Sequence, residues 1–239
     1  MVASYAVTPD HDAEPLARLL SLAVHELRTP VTVVSGYIRM LLREQGGPLT
    51  EKQQRMLTEA ERSCGRIAEL VAELSEIGKL EGRTLAIAHQ SFDLRTVVSE
   101  VAGDMHEGED RGVRLALEAG DHPLTVIGDR VRVAGLVKAT VHSVLRERGE
   151  PGVVVVRCAR VGTEMPAWGV VAAADSTIID ALVASGPGTA GAFDEFRGGL
   201  GLAFPVGRRL LDALGGGLWS LPEHPRGGLA LRLPLTTLD

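Results

Sequence analysis

The residues best suited to chemistry lie together in the hexapeptide His25-Glu26-Leu27-Arg28-Thr29-Pro30. On a helix, His25 is rotated by about 200° from the apolar-face residue Leu27, so its imidazole is predicted to face outward as an accessible nucleophile. Glu26 can accept a hydrogen bond from one ring nitrogen, which leaves the other nitrogen free to attack phosphorus. Arg28 can offset the negative charge of a phosphoryl group.

The elements that must position this hexapeptide are two long helices. From Leu16 to Leu41 the apolar residues recur at a mean spacing of about 3.6 residues, and Pro30 within that run is expected to bend the helix just after the histidine. The segment Gln45-Gly46-Gly47-Pro48 predicts the end of the first helix. A second helix is predicted from Thr50-Glu51-Lys52-Gln53, which fits a capping box, and its apolar face runs from Leu57 to Ile77.

Two long amphipathic helices joined by a short turn predict an antiparallel hairpin. One hairpin cannot cover its own apolar face, so we expect two copies to pair into a four-helix bundle; docking of the hairpin on a second domain is the alternative. Beyond it the pattern changes to helices alternating with short strands, which predicts an α/β sandwich and an α+β chain overall. We therefore expect a disordered N-terminus at 1–12, the hairpin at 13–82 and the sandwich domain at 83–239.

Composition and charge exclude several classes of function. The net charge is −6, no block of Lys or Arg stands out, and aromatic residues make up only 3%, so nucleic acid is not an expected partner. Cys64 and Cys158 are far apart in the sequence and are expected to be reduced thiols in a cytoplasmic protein. No signal peptide and no membrane span are expected, so input must arrive from another protein or be absent.

The hexapeptide resembles the H-box of the two-component sensor histidine kinase family, and the resemblance extends over the hairpin and, more loosely, to the C-terminus. In that family the histidine takes the γ-phosphoryl of ATP and passes it to an aspartate on a response-regulator receiver domain. The resemblance implies that His25 is the phosphoacceptor, that Glu26 is the general base, and that Thr29 positions water for dephosphorylating the regulator. It also implies a homodimer and a GHKL-type ATP-binding domain.

The second domain resembles that ATP-binding domain unevenly. Gly199 and Gly201 resemble the second glycine box, whose backbone N–H groups can cradle a phosphate, and Phe193 belongs to a segment that resembles the paired-Phe box. Asp175 stands where the adenine-reading aspartate of the family is expected. In the segment Asp175–Ile179, however, Thr and β-branched Ile replace the glycines that give that loop its freedom.

Two further pieces of the family's ATP site are missing. When the helix after Gly128 is aligned without gaps, the Asn that holds Mg²⁺ falls on Ser143, and no set of residues in the sequence predicts a metal site. The segment Phe196-Arg197-Gly198-Gly199 joins the last two boxes almost directly, without a lid. Because phosphoryl transfer depends on metal and positioning, we expect ATP and Mg²⁺ binding, and with it autophosphorylation, to be impaired.

Three hypotheses follow for the function. The first is phosphotransfer to, or dephosphorylation of, a response regulator, with the phosphoryl group of His25 supplied by a partner histidine kinase or a phosphorylated regulator. The second is a divergent kinase that still uses ATP. The third is a non-catalytic scaffold that acts through dimerisation. The intact hexapeptide favours the first two, while the missing Asn and lid favour the first and third.

Overall fold

The protein forms two compact units, Met1–Leu85 and Ala86–Asp239. In the computed structural model, the residues described are 13–82, 84–105, 111–163, 167–187 and 201–236. The N-terminal segment 1–12, expected to be disordered, lies outside them. Within the described residues, no helix combines the length and the apolar character needed to cross a membrane.

The first unit is the expected helical hairpin. Helix α1 spans Ala13–Leu42 and helix α2 spans Glu51–Glu81. The predicted capping box is confirmed: the Thr50 hydroxyl accepts from the Gln53 backbone N–H at 3.3 Å, and the Thr50 N–H donates to Gln53 Oε1 at 2.9 Å. Both bonds satisfy donors that the first turn of a helix leaves without partners.

The apolar residues of α1 divide between two faces. On the inner face, Val24 and Ile38 are buried together with α2 residues such as Cys64 and Val71. Leu27, expected on the buried face, is instead 45% exposed, because a single neighbouring helix covers only one side of α1. We call the uncovered side of α1 the outer face, formed by Leu16, Leu19, Leu22, Leu27, Val33, Val34, Tyr37, Met40 and Leu41.

The second unit is built on a five-stranded mixed sheet. Its elements in chain order are β1 (Gln90–Asp93), α3 (Leu94–Gly103), β2 (Val113–Glu118), β3 (Thr125–Gly128), α4 (Arg130–Glu147), β4 (Gly152–Val161), β5 (Trp168–Asp175), α5 (Ile179–Ser185), α6 (Ala203–Ala213), β6 (Gly217–Trp219) and β7 (Gly228–Pro234). The strand order is β2-β4-β5-β7-β6, in which only the β2–β4 pair is parallel. Strands β1 and β3 form a separate antiparallel pair.

Both faces of the large sheet carry a core. Successive side chains of a strand point to opposite faces, so Val171 and Ala173 of β5 pack with helices α3, α4 and α6, while Ala172 and Ala174 pack on the other side. That second face is covered by α5, whose Ile179 and Leu182 are buried. The expected combination of a helical hairpin and an α/β sheet domain is thus confirmed.

Helix α5 was not predicted from the sequence. Its last residue, Ser185, precedes Gly186, which has a left-handed φ of 68°. The Trp219 indole N–H donates to the Leu182 carbonyl oxygen at 3.0 Å and to the Ser185 hydroxyl at 3.1 Å. The helix is therefore fixed by a strand that follows much later in the chain.

Candidate functional site

His25 lies in the first half of α1 and is open to solvent. The side chains of His25 and Glu26 are 79% and 71% exposed, and Nδ1 of the imidazole lies 3.3 Å from Oε1 of Glu26. With a proton on Nδ1, the ring donates to the carboxylate and keeps a lone pair on Nε2. The arrangement leaves one nitrogen accessible and gives the other a neighbouring proton acceptor.

The rest of the hexapeptide follows on the same helix. Arg28 and Thr29 are exposed, and Arg28 forms no ion pair within the described part of the chain. The helix continues through Pro30, whose ring nitrogen cannot donate to the carbonyl oxygen of Glu26. One turn later the Thr32 hydroxyl donates to the Arg28 carbonyl oxygen at 2.8 Å. The structure thus groups His25, Glu26, Arg28 and Thr29 on one solvent-exposed segment.

In the second unit, Asp175 ends strand β5 and both oxygens of its carboxylate accept hydrogen bonds. Oδ1 accepts hydrogen bonds from the backbone N–H and the hydroxyl of Thr177, both at 2.9 Å. Oδ2 accepts from Nη1 of Arg148 at 2.5 Å. The Thr177 N–H, the Arg148 guanidinium and the Thr177 hydroxyl together lower the pKa of Asp175 to about 2. The expected adenine-reading carboxylate is therefore held as an anion by its own chain.

Arg148 is the residue that sequence reasoning missed at this site. It follows the last turn of α4, where its backbone N–H donates to the Val144 carbonyl oxygen. No sequence pattern links it to Asp175, which lies 27 residues further along the chain. The two meet because the end of α4 and the end of β5 lie side by side in the fold.

The other predicted nucleotide-site residues are placed unevenly. Ser143 lies on α4, is 0% exposed, and its Oγ has no hydrogen-bond partner among the described residues. Gly201 has a left-handed φ of 66°, a conformation that favours glycine, two residues before α6 begins. Gly199 and Phe193 lie outside the described residues.

Ser143 and Asp175, two positions expected to bind Mg²⁺-ATP, are respectively buried and internally hydrogen-bonded. Mg²⁺ takes oxygen ligands while keeping several of its waters, but the Ser143 hydroxyl is shielded from solvent. An adenine amino group needs an acceptor, and at Asp175 it would compete with the internal donors of Arg148 and Thr177. Within the described ranges, no group of three or more His, Cys, Asp or Glu side chains could hold a metal ion.

Comparison with protein families matches residues 16–83 to the His Kinase A (phospho-acceptor) domain. This segment comprises nearly all of the hairpin, including the hexapeptide with His25.

Two curated relatives extend the similarity. The chain is 30% identical over 145 residues to the signal transduction histidine-protein kinase BarA of Escherichia coli K12. The aligned segment covers 59% of this chain and 16% of BarA. It is 25% identical over 228 residues to the sensor protein GacS of Pseudomonas syringae pv. syringae, covering 90% of this chain and 25% of GacS. The chain thus spans a quarter or less of the length of these relatives.

Solved structures of similar fold include full-length ShkA in complex with AMPPNP, with a TM-score of 0.68 and 21% identity, covering 93% of this chain and 47% of ShkA. The histidine kinase AdeS of Acinetobacter baumannii has a TM-score of 0.56 and 19% identity, covering 89% of this chain and 98% of that one. These similarities extend the shared fold over both units. Residues 16–83 thus match the phospho-acceptor domain of histidine kinases, and similarity to sensor histidine kinases continues beyond that segment.

Proposed function

We propose that His25 exchanges a phosphoryl group with the aspartate of a response-regulator receiver domain, without ATP bound to the second unit as the source. The observation that carries this proposal is the exposed imidazole, whose Nδ1 lies 3.3 Å from the Glu26 carboxylate. The first donor would be a partner histidine kinase or a phosphorylated regulator.

The exchange needs only the residues of the hexapeptide. The Nε2 lone pair of His25 attacks phosphorus, the N–P bond forms, and the P–O bond to the regulator aspartate breaks to release its carboxylate. Glu26 takes the Nδ1 proton, so the phosphorylated ring remains neutral; transfer to the regulator is the reverse. In the dephosphorylation reaction, the Thr29 hydroxyl would orient a water that attacks the aspartyl phosphate instead.

The outer face of α1 supports the homodimer in this proposal. Its apolar side chains are 40% to 66% exposed, and large exposed apolar patches are typical of interfaces. Pairing with the same face of a second copy would form a four-helix bundle and leave His25 in solvent, because the imidazole lies on another side of the helix.

We propose the cytoplasm as the place of this exchange, since Cys64 and Cys158 are free thiols.

The second unit supports the part of the proposal that concerns ATP. Two of the positions expected to bind nucleotide, Ser143 and Asp175, are respectively shielded from solvent and engaged by Arg148 and Thr177. Efficient phosphoryl transfer from ATP requires a positioned metal ion and nucleotide. We therefore propose that autophosphorylation from ATP is impaired in this chain.

The test follows the label of a phosphorylated receiver domain. Receiver domains charged with labelled acetyl phosphate would be mixed with the full chain, and acid-labile, base-stable label on the chain would be counted. We expect label on the wild type and on His122→Ala, a variant of another exposed histidine, but none on His25→Ala. Glu26→Ala should slow the transfer, and Thr29→Ala should slow only the release of inorganic phosphate.

Two results would support the other hypotheses instead. Label that appears on His25 from ATP and Mg²⁺ alone would identify a divergent kinase. A regulator that keeps or loses its phosphate equally with the wild type, His25→Ala and Glu26→Ala would identify a scaffold that acts by dimerisation.

A further inference from the structure

The carboxylate of Asp175 accepts hydrogen bonds from three donor groups, which belong to Thr177 and Arg148. Thr177 supplies its N–H and hydroxyl to Oδ1, and Arg148 supplies Nη1 to Oδ2. The side chains of Arg148 and Asp175 are only 22% and 31% exposed. A charge-assisted bond in such a half-buried place is stronger than a bond between neutral groups.

Arg148 is held in place independently of Asp175. Its Nε donates to the Glu150 carbonyl oxygen at 3.1 Å, and its guanidinium lies over the backbone of Gly152. A Cβ at Gly152 would overlap the guanidinium, and Gly152 has a φ of 154°, which also favours glycine. The turn after α4 is therefore shaped to deliver this guanidinium to the end of β5.

The loop on the other side of Asp175 cannot easily rearrange. Ile178 donates its N–H to the Asp175 carbonyl oxygen at 3.1 Å, and α5 begins at Ile179, which is 2% exposed. Moving the carboxylate away from Arg148 would pull on this helix and uncover apolar surface that packs near Trp219. Asp175 thus lies just before the helix that packs on the second core of the unit.

We infer that Arg148 is the specificity-determining residue that excludes adenine from this unit, by acting as a permanent internal partner of the Asp175 carboxylate. The inference rests on the proposed function, in which ATP bound to this unit is not the phosphoryl source, and names the residue responsible. A purine amino group is a neutral donor and would have to compete with a charged one at the same carboxylate. Loss of the guanidinium should therefore strengthen binding of adenine nucleotides by about 10- to 100-fold.

The experiment measures ADP binding, with Mg²⁺ present, by titration calorimetry on the full chain. Arg148→Gln keeps much of the side-chain length but removes the charge, and Arg148→Ala removes the guanidinium completely. The matched control is Arg157→Ala, since Arg157 also pairs with carboxylates, those of Glu118 and Asp180, but away from Asp175. Intrinsic fluorescence, which comes from Trp168 and Trp219, verifies that each variant keeps the second unit folded.

We expect weak or no ADP binding by the wild type and by Arg157→Ala, and at least about 10-fold tighter binding by a folded Arg148 variant. The gain should vanish in Arg148→Gln combined with Asp175→Ala, because the acceptor is then missing. Folded Arg148 variants that gain no affinity would overturn the inference. So would a wild type that binds ADP and loses that binding in Asp175→Ala.

Failure of this inference can be distinguished from failure of the proposed function. His25-dependent exchange with a phosphorylated receiver domain is measured on the same Arg148 variants. If that exchange is normal while no ADP affinity is gained, only the role of Arg148 is wrong. If the wild type labels itself from ATP, the proposed function fails as well.

Discussion

Replacing Asp175 by Asn should destabilise the second unit in a pH-dependent manner. Its pKa is lowered from 3.8 to about 2, which at about 1.36 kcal/mol per pKa unit corresponds to an upper limit of about 2.4 kcal/mol. The side chain is 31% exposed, so water screens part of this contribution. We expect Asp175→Asn to lower the free energy of unfolding by about 1.5 kcal/mol near pH 6.

The direction of the pH dependence follows from the lowered pKa. The folded state holds Asp175 as an anion more strongly than the unfolded chain does, so this stabilisation is fully present above the unfolded pKa of 3.8. It is lost as the pH falls from there towards about 2. The difference in unfolding free energy between the wild type and Asp175→Asn should therefore narrow by about half near pH 3.

Urea unfolding followed by intrinsic fluorescence measures this effect in the second unit alone, because both tryptophans of the chain, Trp168 and Trp219, lie there. Asp180→Asn is the matched control. Asp180 also pairs with an arginine, but its side chain is 85% exposed and its partner Arg157 keeps the bond to Glu118. The control should change the unfolding free energy by less than about 0.5 kcal/mol at either pH.

Two results would refute this reasoning about Asp175. One is an Asp175→Asn variant as stable as the wild type near pH 6, which would mean that the ionised carboxylate contributes nothing to stability. The other is a difference that stays constant between about pH 6 and about pH 3, which would mean that ionisation of Asp175 is not its source.

Three further predictions concern other parts of the chain. Thr50→Ala removes the capping box and should cost about 1 kcal/mol of hairpin stability in thermal unfolding followed by circular dichroism; an unchanged midpoint would contradict it. Asp129 is the N-cap of α4, and its carboxylate also pairs with Arg132, so Asp129→Ala should lower the free energy of unfolding in urea by about 1 to 3 kcal/mol. An unchanged free energy of unfolding would show that this cap is dispensable. Burial raises the pKa of the Cys158 thiol to about 12, so this thiol should be unreactive in the folded protein. In a Cys64→Ser variant, iodoacetamide should therefore modify Cys158 only after unfolding, and rapid modification of the native protein would disprove this.

The hairpin could be predicted because its signals are local. The capping box joins Thr50 to Gln53, three residues apart, and the period of the apolar residues marks both helices without reference to any other part of the chain. The split between an inner and an outer face of α1 could not be predicted in the same way. Leu27 and Val24 belong to the same periodic run, and only the position of α2 decides which of them is buried.

The second unit shows the limit of local signals more clearly. Helix α5 depends on burial of Ile179 and Leu182 against residues of β4, β5 and β7, and on the Trp219 indole, 37 residues after Leu182. Its own sequence carries no capping residue that donates or accepts a side-chain hydrogen bond. Tertiary packing therefore supplies what local propensity does not.

The sequence by itself determined the grouping of the candidate residues in the first unit, because His25, Glu26, Arg28 and Thr29 are neighbours on one helix and need no other element to bring them together. Only the tertiary structure decided that the Asp175 carboxylate pairs with a guanidinium. The sequence places an aspartate at the end of a predicted strand with Thr177 close by, but the arginine that pairs with it comes from the end of α4, 27 residues earlier. A pairing between the ends of distant elements depends on how those elements pack on the sheet, and no pattern within either segment encodes it.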